Sequence, residues 1–186
     1  LTDDEAGQVL DNLEKRPLDI GEEGLRISGA GAQDKLIACV KKGRVILPLN
    51  GTASTHIIKT EIRNYPGSVE NEWYSMALAS ACGLSTAVSE IALIGGKRRF
   101  ISTRYDRETQ DNRVKRLHQE DFCQMLGVDP SRKYEALGGP GIVSSYRLLR
   151  ELSVTASDSL EFIDRVIFNF LVGNGKGNLK EMTPAE

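Results

Sequence analysis

The β-rich part of this chain ends near residue 107, and that boundary limits the possible folds more than any single motif does. Between residues 25 and 107 most apolar residues fall in short β-rich runs; beyond it they recur at helical spacing. Strands are expected at 35–40 and 44–47, flanking Lys41-Lys42-Gly43, and at 55–61. The strongest hairpin signal joins 90–94 to 97–105 through Gly95-Gly96. One helix interrupts this half. Ser68 opens it with Glu70 and Glu72 in the first turns, where carboxylates suit the helix dipole. Trp73, Met76, Ala77, Ala81 and Leu84 are its expected buried face, and Gly83 sits where a C-terminal cap would. Residues 108–116 read as a polar stretch without β pattern, and helices are expected at 118–126, 142–152 and 160–172. A β-rich half with one helix followed by an all-helical half specifies an α+β chain whose layers segregate along the sequence.

The chain has 186 residues, 40% of them hydrophobic, enough for one domain or two small lobes with a real core. Its net charge of −2 supplies no overall cationic field, so direct DNA binding by this chain alone is disfavoured. Cys39, Cys82 and Cys123 form no C-x-x-C pair, and His56 and His118 are the only imidazoles, which argues against a zinc site or a disulfide framework. Buried thiols in a reducing cytoplasm are the expectation. No apolar run approaches a membrane span, and no membrane contact is expected. Thr2-Asp3-Asp4-Glu5 has the capping-box pattern, so a short helix should precede Pro17, with linker at 18–24. Residues 1–24 are expected to be the remnant of a preceding subdomain, 25–107 a first lobe and 108–186 an incomplete helical lobe. The start at Leu1 suggests a piece of something longer.

Three elements in order suggest a phosphoryl-transfer site. A small-residue loop, Ser-Gly-Ala-Gly-Ala-Gln-Asp-Lys at 28–35, precedes a hairpin, so that backbone N–H groups of Ala30, Gly31, Ala32 and Gln33 could meet phosphate oxygens, with Gln33 and Lys35 adding side-chain contacts. It is neither a Walker A loop nor a dinucleotide fingerprint, and in isolation a tight turn explains it as well. Lys59 ends an apolar strand run. A snorkelling edge lysine is one reading; an ammonium reaching phosphate is the other, and it would need a carboxylate partner. Glu72, thirteen residues on, is the candidate, its alternative being service to the helix dipole alone. Thr103, Arg104 and Tyr105 end the last strand where a kinase-like fold crosses between lobes. Backbone there could bond adenine through Thr103 and Tyr105, and Asp106 could accept from ribose; solvated charges at a strand end are the alternative.

At this point the chain resembles the HipA-type serine/threonine kinases, toxins of bacterial toxin–antitoxin pairs. The matching stretches are I-S-G-A-G-A-Q-D-K at 27–35, T-H-I-I-K at 55–59, V-E-N-E-W-Y at 69–74, T-R-Y-D-R at 103–107, Q-E-D-F-C-Q at 119–124, K-Y-E at 133–135 and G-G-P-G at 138–141. The resemblance implies a two-lobed protein-kinase-like fold. It implies that Ala30, Gly31, Ala32, Gln33, Asp34 and Lys35 cover the phosphates, that Lys59 binds them with Glu72 as helix partner, and that Thr103 to Tyr105 meet adenine with Asp106 on ribose. Ser28 matches the serine that these kinases autophosphorylate; a phosphate there would repel the triphosphate and switch the enzyme off. The cofactors implied are ATP and Mg²⁺. The partners implied are a small DNA-binding, HipB-like antitoxin, with DNA reached only through it, and a protein substrate, an aminoacyl-tRNA synthetase. For G-G-P-G no role beyond a rigid turn is evident.

The pattern breaks near the C-terminus. The family's G-N-x-D-x-H-x-K-N catalytic loop and T-P-x-Y-D metal motif are represented only by Gly173-Asn174-Gly175, followed at once by Lys176-Gly177-Asn178, and by Thr183-Pro184-Ala185. No catalytic base or metal ligand is assigned. Either the chain is an inert pseudokinase scaffold that binds nucleotide or antitoxin and contributes to repression, or these residues join separated pieces of a longer kinase. The apolar helix at 160–172, which needs further structure to cover it, favours the second.

Overall fold

The computed structural model describes residues 1–13, 33, 35–49, 51–110, 113–132, 135, 138–152 and 155–174. The chain divides into two compact units, Leu1–Arg116 and Leu117–Glu186.

The first unit is an α+β layer around a five-stranded antiparallel sheet of order β2-β1-β3-β5-β4, built from β1 (Lys35–Lys41), β2 (Arg44–Ile46), β3 (His56–Lys59), β4 (Ser89–Ile94) and β5 (Lys97–Thr103). Two tight turns set the register. Lys42 and Gly43, both at positive φ, pair Lys41 with Arg44, and Gly95 and Gly96, also at positive φ, pair Ile94 with Lys97. Helix α1 (Asp3–Leu13) begins at a capping box in which the Glu5 N–H donates to Thr2 Oγ1 and the Thr2 N–H donates to a Glu5 carboxylate oxygen at 2.8 Å. Its Ala6 and Leu10 pack with Leu36, Ala38, Val45, Ile58, Ile94 and Ile101 into one buried cluster. Removing each large side chain of this cluster from water is worth about 1.5–3 kcal/mol. The helix expected to be a remnant of a preceding subdomain thus supplies part of this unit's own core. It is fastened at its edges by Asp11, which accepts from Lys97 at 2.7 Å and from the buried Arg99.

Because paired residues share a sheet face, Leu36, Ile58 and Ile101 lie toward α1, whereas Lys35, Lys59 and Phe100 lie on the opposite face. Helix α2 (Ser68–Ala81) packs on β4 and β5. Its buried residues are Val69 and Ala79, while Trp73, Ala77 and Ala81 of the expected face are exposed. Apolar residues occur on several sides of this helix, so periodicity did not select the face; contact with the sheet did. A second correction concerns 108–116, where β6 (Arg107–Gln110) and β7 (Arg113–Arg116) form a two-stranded hairpin. Its half-buried Arg107 and its exposed Arg116 make long-range hydrogen bonds, and most of its other residues are exposed and polar, so hydrophobic alternation is absent.

The second unit is helical in the described residues. The helix expected from 118 is shorter: α3 (Phe122–Met125) starts at Asp121, whose carboxylate accepts from Gln124 N–H at 2.9 Å while its own N–H donates to the Gln124 side chain at 2.8 Å. A 3-10 turn (Pro130–Arg132) follows, then α4 (Ile142–Glu151) and α5 (Ala156–Leu171). Gly141 of the G-G-P-G motif caps α4, its N–H donating to Ser144 Oγ at 3.0 Å. Phe122, Leu149 and Phe162 form the core, with the two phenyl rings edge to face at 5.8 Å. Helix α5 begins four residues before the expected start, capped by Thr155, and it leaves Leu160, Ile163, Ile167 and Phe170 exposed. No helix among the described residues is long and apolar enough to cross a membrane.

Candidate nucleotide site

Lys59 ends β3 on the sheet face opposite α1, between Lys35 of β1 and Phe100 of β5. Its ammonium lies 5.6 Å from the Phe100 ring centroid and donates to Glu72 Oε1, forming an ion pair. The side chains are 23% and 28% exposed, so the pair is sheltered yet open to a ligand. Glu72 reaches the sheet because it follows the buried Val69 by three residues, one helical turn. Glu70, by contrast, pairs with Arg98 at 2.8 Å. The two glutamates of the first turns therefore have distinct partners: Glu70 pairs with Arg98 of β5, and Glu72 with Lys59 of β3.

The register adds what spacing along the chain did not reveal. Lys35 and Lys59 occupy directly opposed positions, and the Glu72 carboxylate supplies negative charge beside Lys59. In the next row of the same face lie Ile37 and Ile57, paired with each other and with Ser102, all half-buried. These two isoleucines form an apolar shelf one row from Lys35 and Lys59 on the same sheet face. Period-two counting from Lys35 and Lys59 would have found them.

Of the loop expected to cover phosphates, Ser28, Ala30, Gly31, Ala32 and Asp34 lie outside the described residues. Gln33 is described, and its side-chain amide donates to the Thr60 carbonyl at 3.0 Å. That side chain is therefore engaged beside Lys59 and is not extended toward a ligand. At the expected hinge, the Thr103 N–H donates to Val88 O at 2.9 Å and the Arg104 N–H to Thr55 O at 2.8 Å, so both donors extend the sheet. Tyr105 is exposed. Arg104 Nε and Nη2 grip the two Asp106 carboxylate oxygens at 2.9 and 2.6 Å, and Arg107 Nη1 adds a third bond at 2.7 Å. Burial works against the Asp106 charge, but the two guanidiniums outweigh it and hold the carboxyl below its ordinary range. A ribose hydroxyl at Asp106 would have to share oxygens already occupied by arginine.

An open concavity of about 510 Å³ lies elsewhere in this unit, lined by residues that include Arg63, Glu70 and Arg98. It shares no residue with the Lys59 constellation. The candidate site rests on the chemistry of the ion pair and not on the depth of a hollow. Among the described residues no group of three or more His, Cys, Asp or Glu side chains is disposed to hold a metal ion. The Gly175 to Asn178 and Thr183 to Glu186 stretches, where the family's catalytic and metal motifs would fall, lie outside the described residues. Asn174 is described, and its side-chain amide donates to Asn169 Oδ1 at 2.8 Å.

Comparison with known proteins gives the family. The HipA-like C-terminal domain family matches residues 27–183. A Sinorhizobium fredii protein named Putative kinase Y4mE is 45% identical over 184 residues, covering 97% of this chain and 44% of that protein. The serine/threonine-protein kinase toxin HipA of Shewanella oneidensis is 32% identical over 187 residues, covering 91% and 42%. Among solved structures, a chain from the Shewanella oneidensis MR-1 toxin–antitoxin complex of HipA, HipB and operator DNA superposes with a TM-score of 0.71 at 29% identity, covering 94% of this chain and 44% of that one. The chain spans less than half the length of these relatives. Sequence, fold and the family match over 27–183 together place this chain in the HipA-like family.

Proposed function

We propose that this chain carries the nucleotide-binding part of an ATP-dependent serine/threonine-protein kinase, the toxin of a toxin–antitoxin pair. The observation that carries the reading is the Lys59–Glu72 ion pair on the sheet face opposite α1, flanked by Lys35 and the Ile37–Ile57 shelf. The chain's own residues fit the nucleotide: ammonium groups suit a polyphosphate, and apolar side chains one strand-step away suit a purine. Bound ATP supplies the phosphoryl group. Lys59 holds the phosphates, Glu72 aims the Lys59 ammonium, and the small-residue loop from Ala30 to Lys35 excludes water from above. Hydroxyl attack on the terminal phosphorus forms one P–O bond as the bond to the leaving oxygen breaks. The base that takes the hydroxyl proton is assigned to no residue of this chain. Among the described residues no cluster of three or more His, Cys, Asp or Glu side chains is disposed to hold a metal ion, and the Mg²⁺ that the kinase reading implies is assigned to no residue.

In this reading the two units are the lobes of a kinase-like fold, Thr103 to Tyr105 border the adenine, and Ser28 is an autophosphorylation site whose added charge competes with the triphosphate. Family membership supports a HipB-like antitoxin as partner, and the proposed substrate is an aminoacyl-tRNA synthetase in the cytoplasm. A second reading, an inert nucleotide-binding scaffold, rests on one observation: Gly173-Asn174-Gly175 runs straight into Lys176 without an aspartate.

The test is Lys59→Met in the full-length protein, with Glu72→Gln beside it. Both should keep the fold, and phosphoryl transfer to a serine or threonine should fall at least about a hundredfold in Lys59→Met and less in Glu72→Gln, since the lysine charge remains. Wild-type transfer by Lys59→Met would refute the assignment. Nucleotide binding without any transfer by the wild-type protein would favour the scaffold.

A further inference from the structure

We propose that Arg107 is a positioning residue of the nucleotide site, fixing the end of β5 to the chain segment that delivers Lys59; the inference rests on the kinase reading above. The Arg107 side chain is only 10% exposed. Its Nε–H donates to the Ser54 carbonyl at 2.9 Å, while Nη1 donates to the Asp106 carbonyl and to Asp106 Oδ2, each at 2.7 Å. One planar guanidinium thus joins the residue after the hinge to a backbone carbonyl two residues before β3. Arg104 reinforces the connection from the other side: its N–H donates to Thr55 O at 2.8 Å and its Nη1 approaches Ser54 Oγ at 3.4 Å. Arg116, paired with Arg107 across β6 and β7, donates to Gly51 O at 2.9 Å. Three arginines from one stretch therefore bind the segment 51–55, and Lys59 follows that segment by four residues.

The chemistry explains why arginine is required. Arg107 must face a carboxylate and a carbonyl at once with donors on two edges of a rigid plane; an ammonium is a point charge that serves one. Asp106 is shared by two guanidiniums, and its charge keeps Arg104 and Arg107 from repelling each other in a sheltered place. The clamp leaves the Lys59–Glu72 pair untouched. It governs instead whether the β3 entrance and the β5 exit stay at a fixed separation, and the Ile57 half of the shelf and the Thr103 to Tyr105 edge are carried by those two ends.

The experiment compares wild-type full-length protein with Arg107→Ala and Arg107→Lys, reading nucleotide affinity, the rate at saturating ATP and amide exchange. In Arg107→Ala the ATP dissociation constant should rise about tenfold, as for loss of charge-assisted bonds, with the saturated rate within about twofold of wild type. Amide exchange of Thr55 and Arg104 should quicken by about the same factor while Leu36 and Ile101 stay protected. Arg107→Lys should behave as the alanine variant does, and millimolar guanidinium ion should restore part of the affinity to Arg107→Ala only. Unchanged affinity in Arg107→Ala, or unchanged exchange at Thr55 and Arg104, would overturn the proposal while leaving the kinase reading intact. Absence of nucleotide binding by the wild-type protein would overturn both.

Discussion

Gly7 lies in the second turn of α1, where replacing glycine by alanine ordinarily stabilises a helix by about 1 kcal/mol. Here the sign should reverse. A Cβ on Gly7 would stand 2.6 Å from Gly95 Cα and 3.3 Å from Gly95 N, in the β4–β5 turn, against an optimum for carbon atoms of about 3.5–4.0 Å. Both obstructing atoms are backbone, so no rotamer change relieves the contact, and Gly95 itself sits at φ +58° in a turn whose register holds the hairpin. The helix would have to rise by about an ångström, loosening Ala6 and Leu10 from Ile94 and Ile101. Overpacking of this kind costs about 1–3 kcal/mol, and a rigid backbone contact belongs at the upper end. Subtracting the helix gain leaves Gly7→Ala less stable by about 2 kcal/mol, or roughly 8 °C in melting temperature for a unit of this size. Urea titration of the full-length protein followed by circular dichroism measures it. Because α1 lies on the face away from Lys59, nucleotide affinity of the folded variant should be unchanged. A gain in stability near 1 kcal/mol would refute the close approach, and with it the place of α1 in this core.

Two further outcomes follow from the ion cluster and the second core. The Asp106 carboxyl is held below its ordinary value near 3.8, so the stability it contributes is fully present above that value and lost as the pH falls through the lower, folded-state value. The stability difference between wild type and Asp106→Asn should therefore be constant from about pH 5 upward and shrink below about pH 4; a difference independent of pH would show that Asp106 is not held by Arg104 and Arg107 in the charged form. Phe122 is fully buried edge to face against Phe162, and Phe122→Ala should cost about 3–4 kcal/mol in chemical denaturation of the second unit, a loss under about 1 kcal/mol being incompatible with that core.

The local features of this protein were legible in its sequence because each is decided within a few residues. Gly95-Gly96 can take the positive φ that a two-residue hairpin demands, Thr2 and Glu5 are one helical turn apart, and Lys59 and Glu72 fall at the end of a strand and the start of the next helix. What the tertiary structure alone decided is which surfaces meet. Trp73, Ala77 and Ala81 satisfied helical spacing as well as Val69 and Ala79 do, and only packing on β4 and β5 chose between them. The β6–β7 hairpin escaped detection because it is tied down by arginines whose partners, Ser54 and Gly51, are more than fifty residues away, and polar long-range bonds leave no hydrophobic alternation. Asp106 shows the same limit. Its neighbours in sequence did not reveal that the conformation at the end of β5 folds Arg104 and Arg107 onto its carboxylate, because the direction of a side chain after a strand end depends on backbone geometry that composition does not encode.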